Sequence, residues 1–228
     1  GKTIGYPSLL VLDSAVPNRV CAITEAIDLT KTLFLVSSKS GTTIEPTALY
    51  KYFRKQVEEA IGSEDVGRHF IAITDPDSPL VELANQQGFR QIFENDPTIG
   101  GRYSALSYFG LLPAALAGVD VTQLLHRAER MSEKCAMLDS PGARLGAVIG
   151  ALTRNRRDKL TMVTSSSIAS FALWVEQLVA ESTGKEGAGV VPVVGECLLG
   201  PEVYGDDRLF MYMRLGSDQN DETDAAIE

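Results

Sequence analysis

Three short stretches hold residue types at spacings that could do chemistry. The first is Ser37-Ser38-Lys39-Ser40-Gly41-Thr42-Thr43, set between an apolar run and an amphipathic one. A loop that leaves a buried strand and opens a helix offers free backbone N–H groups and the positive end of the helix dipole, which suits a phosphate. Gly41 lets the backbone come close to such an anion, the hydroxyls donate hydrogen bonds, and Lys39 adds charge. The order is not Gly-Lys-[Ser/Thr] leading into a helix, so no nucleotide P-loop is implied. A plain turn with Thr42 or Thr43 as helix cap would account for one hydroxyl and leave the others and the lysine unexplained.

The second stretch is Gly100-Gly101-Arg102-Tyr103-Ser104. Two glycines free the backbone, and Ser104 can cap a helix that follows. Arg102 would then stand at the positive end of a helix dipole, where its own charge is mildly disfavoured. A guanidinium fixed there could stabilise negative charge developing on a substrate oxygen. The competing reading is a surface arginine paired with Glu94 or Asp96. The third stretch runs from Trp174 to Lys185 and contains Gln177, Glu181 and Gly184. Glu181 falls in the last turn of a helix that Gly184 would cap. The negative pole there disfavours the carboxylate anion, which should move its pKa toward that of a general base. An exposed pair with Lys185 at i, i+4 explains the same spacing as well.

Other polar residues carry less. Ser165, Ser166 and Ser167 end a strand and are either loop polarity or a second anion contact. Asp75 and Asp77 read as turn and cap residues. His69 and His126 read as surface histidines, with no Cys or carboxylate cluster at metal spacing, so no metal is expected. Gly184, Gly187 and Gly189 fall in the wrong order for a dinucleotide fingerprint, so no nucleotide cofactor is expected.

The elements that would position these residues alternate. Apolar, β-branched runs at 9–12, 32–36, 70–74, 91–94 and 160–164 read as buried parallel strands, and 190–194 and 209–215 are further candidates. Helical patterns cover 45–61, 104–117 and 121–138, and Ser78-Pro79 opens another with a capping residue and proline at the first position. Residues 32–61 and 160–183 both read strand, Ser/Thr-rich loop, helix. The chain is therefore expected to be α/β, with mostly parallel sheets, in two similar units of about 1–138 and 139–228 that part at an Asp-Ser-Pro turn.

Composition sets the outer limits. With 228 residues, 44% apolar and 22% charged, the chain suits a globular protein with room for more than one core. No apolar run approaches the roughly 20 residues of a membrane span, and the first residues lack the pattern of a signal peptide. Cys21, Cys135 and Cys197 are far apart and odd in number, which favours a reducing compartment such as the cytoplasm. A net charge of −9 argues against nucleic acid. The cluster Arg154, Arg156, Arg157 and Lys159 reads as a solvated helix end. An anionic ligand must therefore be held by local groups against an unhelpful overall field.

Together, and in this order, the three stretches resemble the phosphoglucose isomerase family, which is built from two sugar-isomerase (SIS) domains. Residues 38–45, Ser-Lys-Ser-Gly-Thr-Thr-Ile-Glu, look like its phosphate-binding loop. Gly100-Gly101-Arg102-Tyr103-Ser104 is similar to its Gly-Gly-Arg-[Phe/Tyr]-Ser signature, and Glu181-Ser182-Thr183-Gly184-Lys185 to its Glu-Ser-x-Gly-Lys segment. The resemblance implies two three-layer αβα units, the first short of its initial strand, in a cytoplasmic homodimer of glycolysis and gluconeogenesis. It implies a sugar-phosphate substrate, no cofactor, no nucleic acid and no membrane. Ser38, Ser40, Thr42 and Thr43 would hold the phosphate, with Lys39 lining the pocket. Gly101 would contact the substrate and Arg102 would stabilise an enediolate, while Gln177 would contact the sugar. Glu181 would move the proton between C1 and C2 of glucose 6-phosphate and fructose 6-phosphate. Residues 174–185 and 195–199 are similar to bacterial forms, some of which are fused to a transaldolase. The family's Gly-Gly-Ser loop is expected before residue 1, and its ring-opening histidine and lysine beyond residue 228. These 228 residues alone are therefore expected to be inactive. A non-catalytic SIS-type regulator and a dual glucose/mannose 6-phosphate isomerase fit the same resemblance.

Overall fold

The computed structural model describes residues 3–137 and 139–227. Its contacts divide into two compact units, Gly1–Arg127 and Ala128–Glu228. Both are α/β and both are built on a three-stranded parallel sheet.

The first unit follows α1 (Pro17–Ala26), β1 (Phe34–Ser37), α2 (Ile44–Ile61), β2 (Phe70–Thr74), α3 (Pro79–Gln86), β3 (Gln91–Glu94) and α4 (Tyr108–Leu116). The strand order is β1-β2-β3, with Val36 opposite Ala72 and Ala72 opposite Ile92. The central strand, Phe-Ile-Ala-Ile-Thr, is buried along its whole length, as a continuous apolar run covered on both faces should be. Tyr50, Phe53 and Val57 lie on one face of α2 at helical spacing, and all three are buried. The Phe53 ring lies 5.0 Å from that of Phe34, and Tyr50 meets Phe70 edge-on at 5.2 Å. Each of these large side chains gains about 1.5–3 kcal/mol from burial. They fix the angle at which α2 leaves the end of β1. Phe70→Ala would remove the shared contact at a cost of about 3–5 kcal/mol.

The second unit takes up the later residues of α5 (Val121–Cys135) and continues with α6 (Pro141–Arg154), β4 (Lys159–Thr164), α7 (Ala169–Thr183), β5 (Val191–Val194), β6 (Arg208–Met213) and α8 (Asp221–Ile227). Its sheet runs β5-β4-β6, so β4 is central. Leu160, Met162, Ala172 and Val190 form its buried apolar cluster, and Val175 and Val179 of α7 pack against it.

Several expectations are corrected. Residues 9–12 form no strand; Leu9, Leu10 and Val11 are exposed and, of the four, Leu12 alone packs on the core, so the apolar run is not a buried one. The helix expected over 104–117 is a 3-10 helix, Gly101–Leu106, followed by α4. They part at Ser107, which accepts the Phe109 N–H at 3.3 Å. Ser104 therefore caps nothing and donates instead to the Gly101 carbonyl at 2.6 Å. Ser78 precedes α3 as expected, yet its hydroxyl pairs with that of Thr74 at 2.7 Å rather than capping the helix. The helix over 121–138 ends at Cys135, and Leu138 lies outside the described residues. Asp139-Ser140-Pro141 is the start of α6, where the Ser140 hydroxyl accepts the Ala143 N–H at 3.0 Å. None of the described helices is long and apolar enough to cross a membrane.

Candidate active site

In the first unit the hydroxyl-rich loop leaves the carboxyl end of β1 and enters α2 at Ile44. Neighbouring strands fasten it. The Ser38 N–H donates to the Ile73 carbonyl at 3.0 Å, and the Lys39 carbonyl accepts the Asp75 N–H at 3.1 Å and the Thr74 hydroxyl at 3.3 Å. Gly41 takes a φ of +67°, and a Cβ there would lie 2.8 Å from the backbone nitrogen of Leu80. Glycine is thus required twice, by conformation and by space.

The hydroxyls bond to one another. Ser38, which is buried, donates to Thr43 Oγ1 at 3.3 Å, and Ser40 and Thr42 share a hydrogen bond of 2.8 Å. Thr43 stands at the N-cap of α2, but its side chain does not cap the helix. The loop therefore gathers four hydroxyls at the positive pole of an 18-residue helix without using the Thr43 oxygen on that helix's own N–H groups.

Lys39 forms an ion pair with Asp75, and its ammonium also donates to the Pro97 carbonyl at 3.0 Å. Asp75 is thus the counter-ion of Lys39, not the turn residue expected from sequence. Nothing in the sequence joins two residues 36 positions apart; the pairing exists because β1 and β2 are neighbours. One Asp75 oxygen, Oδ1, is buried with no hydrogen-bond partner among the described residues.

Arg102 lies in the 3-10 helix, on a loop whose base is closed by Asn95. The Asn95 N–H donates to Thr74 O, and its Oδ1 accepts the Tyr108 N–H, both at 2.9 Å. Asp96 accepts the Thr98 hydroxyl at 2.7 Å and the Thr98 N–H at 2.9 Å. The Thr98 hydroxyl, then its N–H, with a further pull from the Lys39 charge, hold the Asp96 carboxyl below its usual range. A Cβ on Gly101 would meet nothing within 4 Å, so packing does not demand glycine there and the backbone is open to approach.

The second unit holds the other candidates. Gln177 and Glu181 lie one turn apart on α7, both exposed, and the Gln177 amide donates to Glu181 Oε1 at 3.1 Å. Gly184 ends the helix as expected, its N–H bonded to the Ala180 carbonyl at 3.0 Å, with φ at −73°. The Val190 N–H reaches the Thr183 hydroxyl at 3.0 Å, and β5 begins at the next residue. Glu181 therefore lies toward the amino end of the second sheet. Ser165 is committed elsewhere: its buried hydroxyl donates to Asn220 Oδ1 and accepts the Leu215 N–H, both at 2.7 Å. The Ser167 N–H is bonded to the Asp218 carboxylate at 2.9 Å.

Of the weaker candidates, His69 is half-buried with Nδ1 2.9 Å from the Thr32 carbonyl, and His126 is exposed. Arg154 closes α6, while Lys159 pairs with Asp158 at 2.6 Å and Asp207 at 3.1 Å. Lys159, Asp158, Asp207 and Arg156 help line a cavity of about 460 Å³ that contains none of the sequence-predicted site residues. No group of three or more His, Cys, Asp or Glu side chains able to hold a metal ion occurs among the described residues.

Within each unit, then, the structure collects its share of the candidates. Ser38, Lys39, Ser40, Thr42 and Thr43 share one loop, joined through Lys39 to the loop of Gly101 and Arg102. Gln177 and Glu181 share a helix face. A family model described as phosphoglucose isomerase matches residues 8–205, which include all of them. The glucose-6-phosphate isomerase of Rubrobacter xylanophilus is 34% identical over 195 residues, which is 82% of this chain and 44% of that protein. That of Parabacteroides distasonis is 37% identical over 162 residues, 68% of this chain and 36% of its own. Among solved structures, a hypothetical protein from Thermus thermophilus superposes with a TM-score of 0.77 at 28% identity, covering 89% of this chain and 51% of that one. A glucose-6-phosphate isomerase from Chlamydia trachomatis gives 0.65 at 26%, covering 78% and 35%. The chain spans about two fifths of the length of these two curated relatives.

Proposed function

The chain belongs to the phosphoglucose isomerase family, and on that premise we propose that it carries the phosphate-holding and proton-moving parts of a glucose-6-phosphate isomerase. The observation that carries this reading is the loop at the amino end of α2, where Ser38, Ser40, Thr42 and Thr43 bond to one another. Such hydroxyls can turn to a phosphate dianion and gain charge-assisted hydrogen bonds. An acidic protein needs a local cradle of this kind, since its net charge of −9 repels the ligand.

With the phosphate held, the open-chain sugar presents C1 and C2 to a base. Glu181 takes the C2 proton of the aldose, and the C–H electrons form a C1–C2 double bond while the C1 oxygen becomes anionic. Arg102, beside the open backbone of Gly101, stabilises that charge. Glu181 returns the proton to C1 as the C2 hydroxyl passes its own proton to the C1 oxygen and becomes the ketone, so one carboxyl serves as base and then acid. Gln177, donating to Glu181 Oε1, orients the carboxylate and contacts the sugar. Ring opening is assigned to none of these residues.

We read residues 1–138 and 139–228 as two SIS-type domains of a cytoplasmic homodimer acting in glycolysis and gluconeogenesis. The test is incubation of the complete protein, rather than these residues alone, with fructose 6-phosphate in heavy water. Glucose 6-phosphate should form, some of it carrying solvent deuterium at C2. Tight binding of fructose 6-phosphate without conversion would overturn the enzyme reading in favour of a sugar-phosphate-binding regulator.

A further inference from the structure

We infer that Lys39 is a positioning residue, a strut between the hydroxyl-lined loop and the loop of Arg102, rather than a ligand of the phosphate. The inference rests on the proposed isomerase reading for its kinetic consequences but not for its geometry. An ammonium has three N–H donors. Lys39 directs them at the Asp75 carboxylate, just beyond the end of β2, and at the Pro97 carbonyl, 58 residues away in sequence. Asp75 cancels the charge that Lys39 would otherwise offer an anion. Its side chain is only 15% exposed and its Oδ1 has no hydrogen-bond partner among the described residues, so its charge leans on Lys39.

The second end of the strut matters for geometry. Asn95 closes the base of the Arg102 loop, and the Asp96–Thr98 turn stiffens its first residues. Lys39 to Pro97 is a direct contact between this loop and the phosphate loop. Pro97 precedes Gly100-Gly101-Arg102 by only a few residues, so holding its carbonyl limits how far the guanidinium can wander.

Loss of Lys39 thus has two separable effects. It leaves the Asp75 carboxylate uncompensated near an incoming dianion, which weakens binding. It also releases the Pro97 loop, which loosens Arg102 and slows the chemical step. A direct phosphate ligand would behave otherwise, because removing Asp75 could not repair its loss.

The experiment compares the parent with Lys39→Met and with Lys39→Met/Asp75→Asn. Fructose 6-phosphate kinetics are measured on each in the complete protein, and amide hydrogen exchange is measured without ligand. Lys39→Met should raise KM several-fold, by about 3–10, through the exposed Asp75 charge. It should lower kcat by roughly 10-fold or more through misplacement of Arg102. The double variant should bring KM back near the parent value while kcat stays low. Amides of residues 96–107 should exchange faster in both variants, with those of α2 unchanged. An unrestored KM in the double variant, or parent-like exchange over 96–107, would overturn the strut. If Lys39→Met fails to fold, the double variant, which buries no lone charge, still decides through exchange. A parent that converts no sugar phosphate would sink the isomerase reading, and the exchange data would still judge the strut.

Discussion

The loop after β1 and the loop after β4 follow the same plan, each leaving the carboxyl end of a parallel strand and leading into a helix, yet they have been put to different uses. After β1, the hydroxyls of Ser38, Ser40, Thr42 and Thr43 bond mainly to each other. After β4, Ser165 is held by Asn220 and Leu215, and the Ser167 N–H is held by the Asp218 carboxylate. The chain's own anion stands in the second loop where the first could take a foreign one. In the second unit the candidate chemistry has moved to the far end of the helix, to Glu181 in the last turn of α7. A helix has a positive pole that favours anions and a negative pole that disfavours them, each worth about 0.3–1 kcal/mol. An anion-holding group belongs at the first, and Glu181 stands at the second. The two units divide these poles between them.

If that division is right, variants at the two poles should separate binding from turnover. The largest effect is expected from Glu181→Gln, which should lower kcat by about 10²–10⁴ and leave the Kd for fructose 6-phosphate nearly unchanged. Equal turnover in variant and parent would remove the base from the negative pole. Thr43→Ala should do the opposite, weakening binding by roughly 10–100-fold through a lost charge-assisted hydrogen bond. In an Asp75→Asn background, calorimetry should find this loss larger than that from Lys39→Met; the reverse order would return Lys39 to the list of phosphate ligands. Ser165→Ala sharpens the contrast between the loops. It strands Asn220 Oδ1 and the Leu215 N–H, so thermal or urea unfolding should show a loss of about 1–3 kcal/mol with phosphate affinity at the parent level. A loss of affinity would mean that the second loop also meets the ligand.

The smallest effect is that of acid. Asp96 in the first unit is held below its usual pKa of 3.8 by Thr98, and Asp224 in the second is held low by Arg214 and then Tyr212. A depressed folded pKa contributes stability that is complete above the unfolded value and is lost as pH falls through the folded one. Both contributions are therefore complete between pH 5 and pH 8, where thermal midpoints should show no pH dependence from either group, and both contacts should loosen only below about pH 3.8. An Asp96→Asn variant that differs from the parent equally at pH 7 and pH 3 would contradict this.

What the sequence disclosed was whatever is contiguous. The β2 and β3 bounds match the expected ranges because each is a short apolar run closed by turn residues. The hydroxyl-rich loop was legible because its hydroxyls are sequence neighbours, and Gln177–Glu181 because i, i+4 is a fixed distance on any helix. Three of the described α-helices escaped. In α6 the glycines at 142, 146 and 150 mask an apolar face with poor helix formers, α1 is ten residues long, and α8 is seven residues in an acidic stretch. Asp75 escaped for the reason that Lys39–Pro97 did. Each contact joins segments that follow different strands of one sheet, and no local pattern encodes the neighbour. The cap at Ser107 was displaced by three residues from Ser104 because the intervening 3-10 turn has no sequence signature distinct from the start of an α-helix.

The tight seat of Gly41 against the first turn of α3 bears on the speed of encounter. With its Cβ position 2.8 Å from Leu80 N and the Lys39 carbonyl bound twice to the end of β2, the loop cannot shift without carrying α3 and the sheet edge with it. A ligand then meets its cradle already in the receiving shape, and association waits on diffusion and orientation rather than on a rearrangement of the loop. Sugar phosphates that differ in their hydroxyls should therefore arrive at nearly the same rate and be told apart by how long they stay.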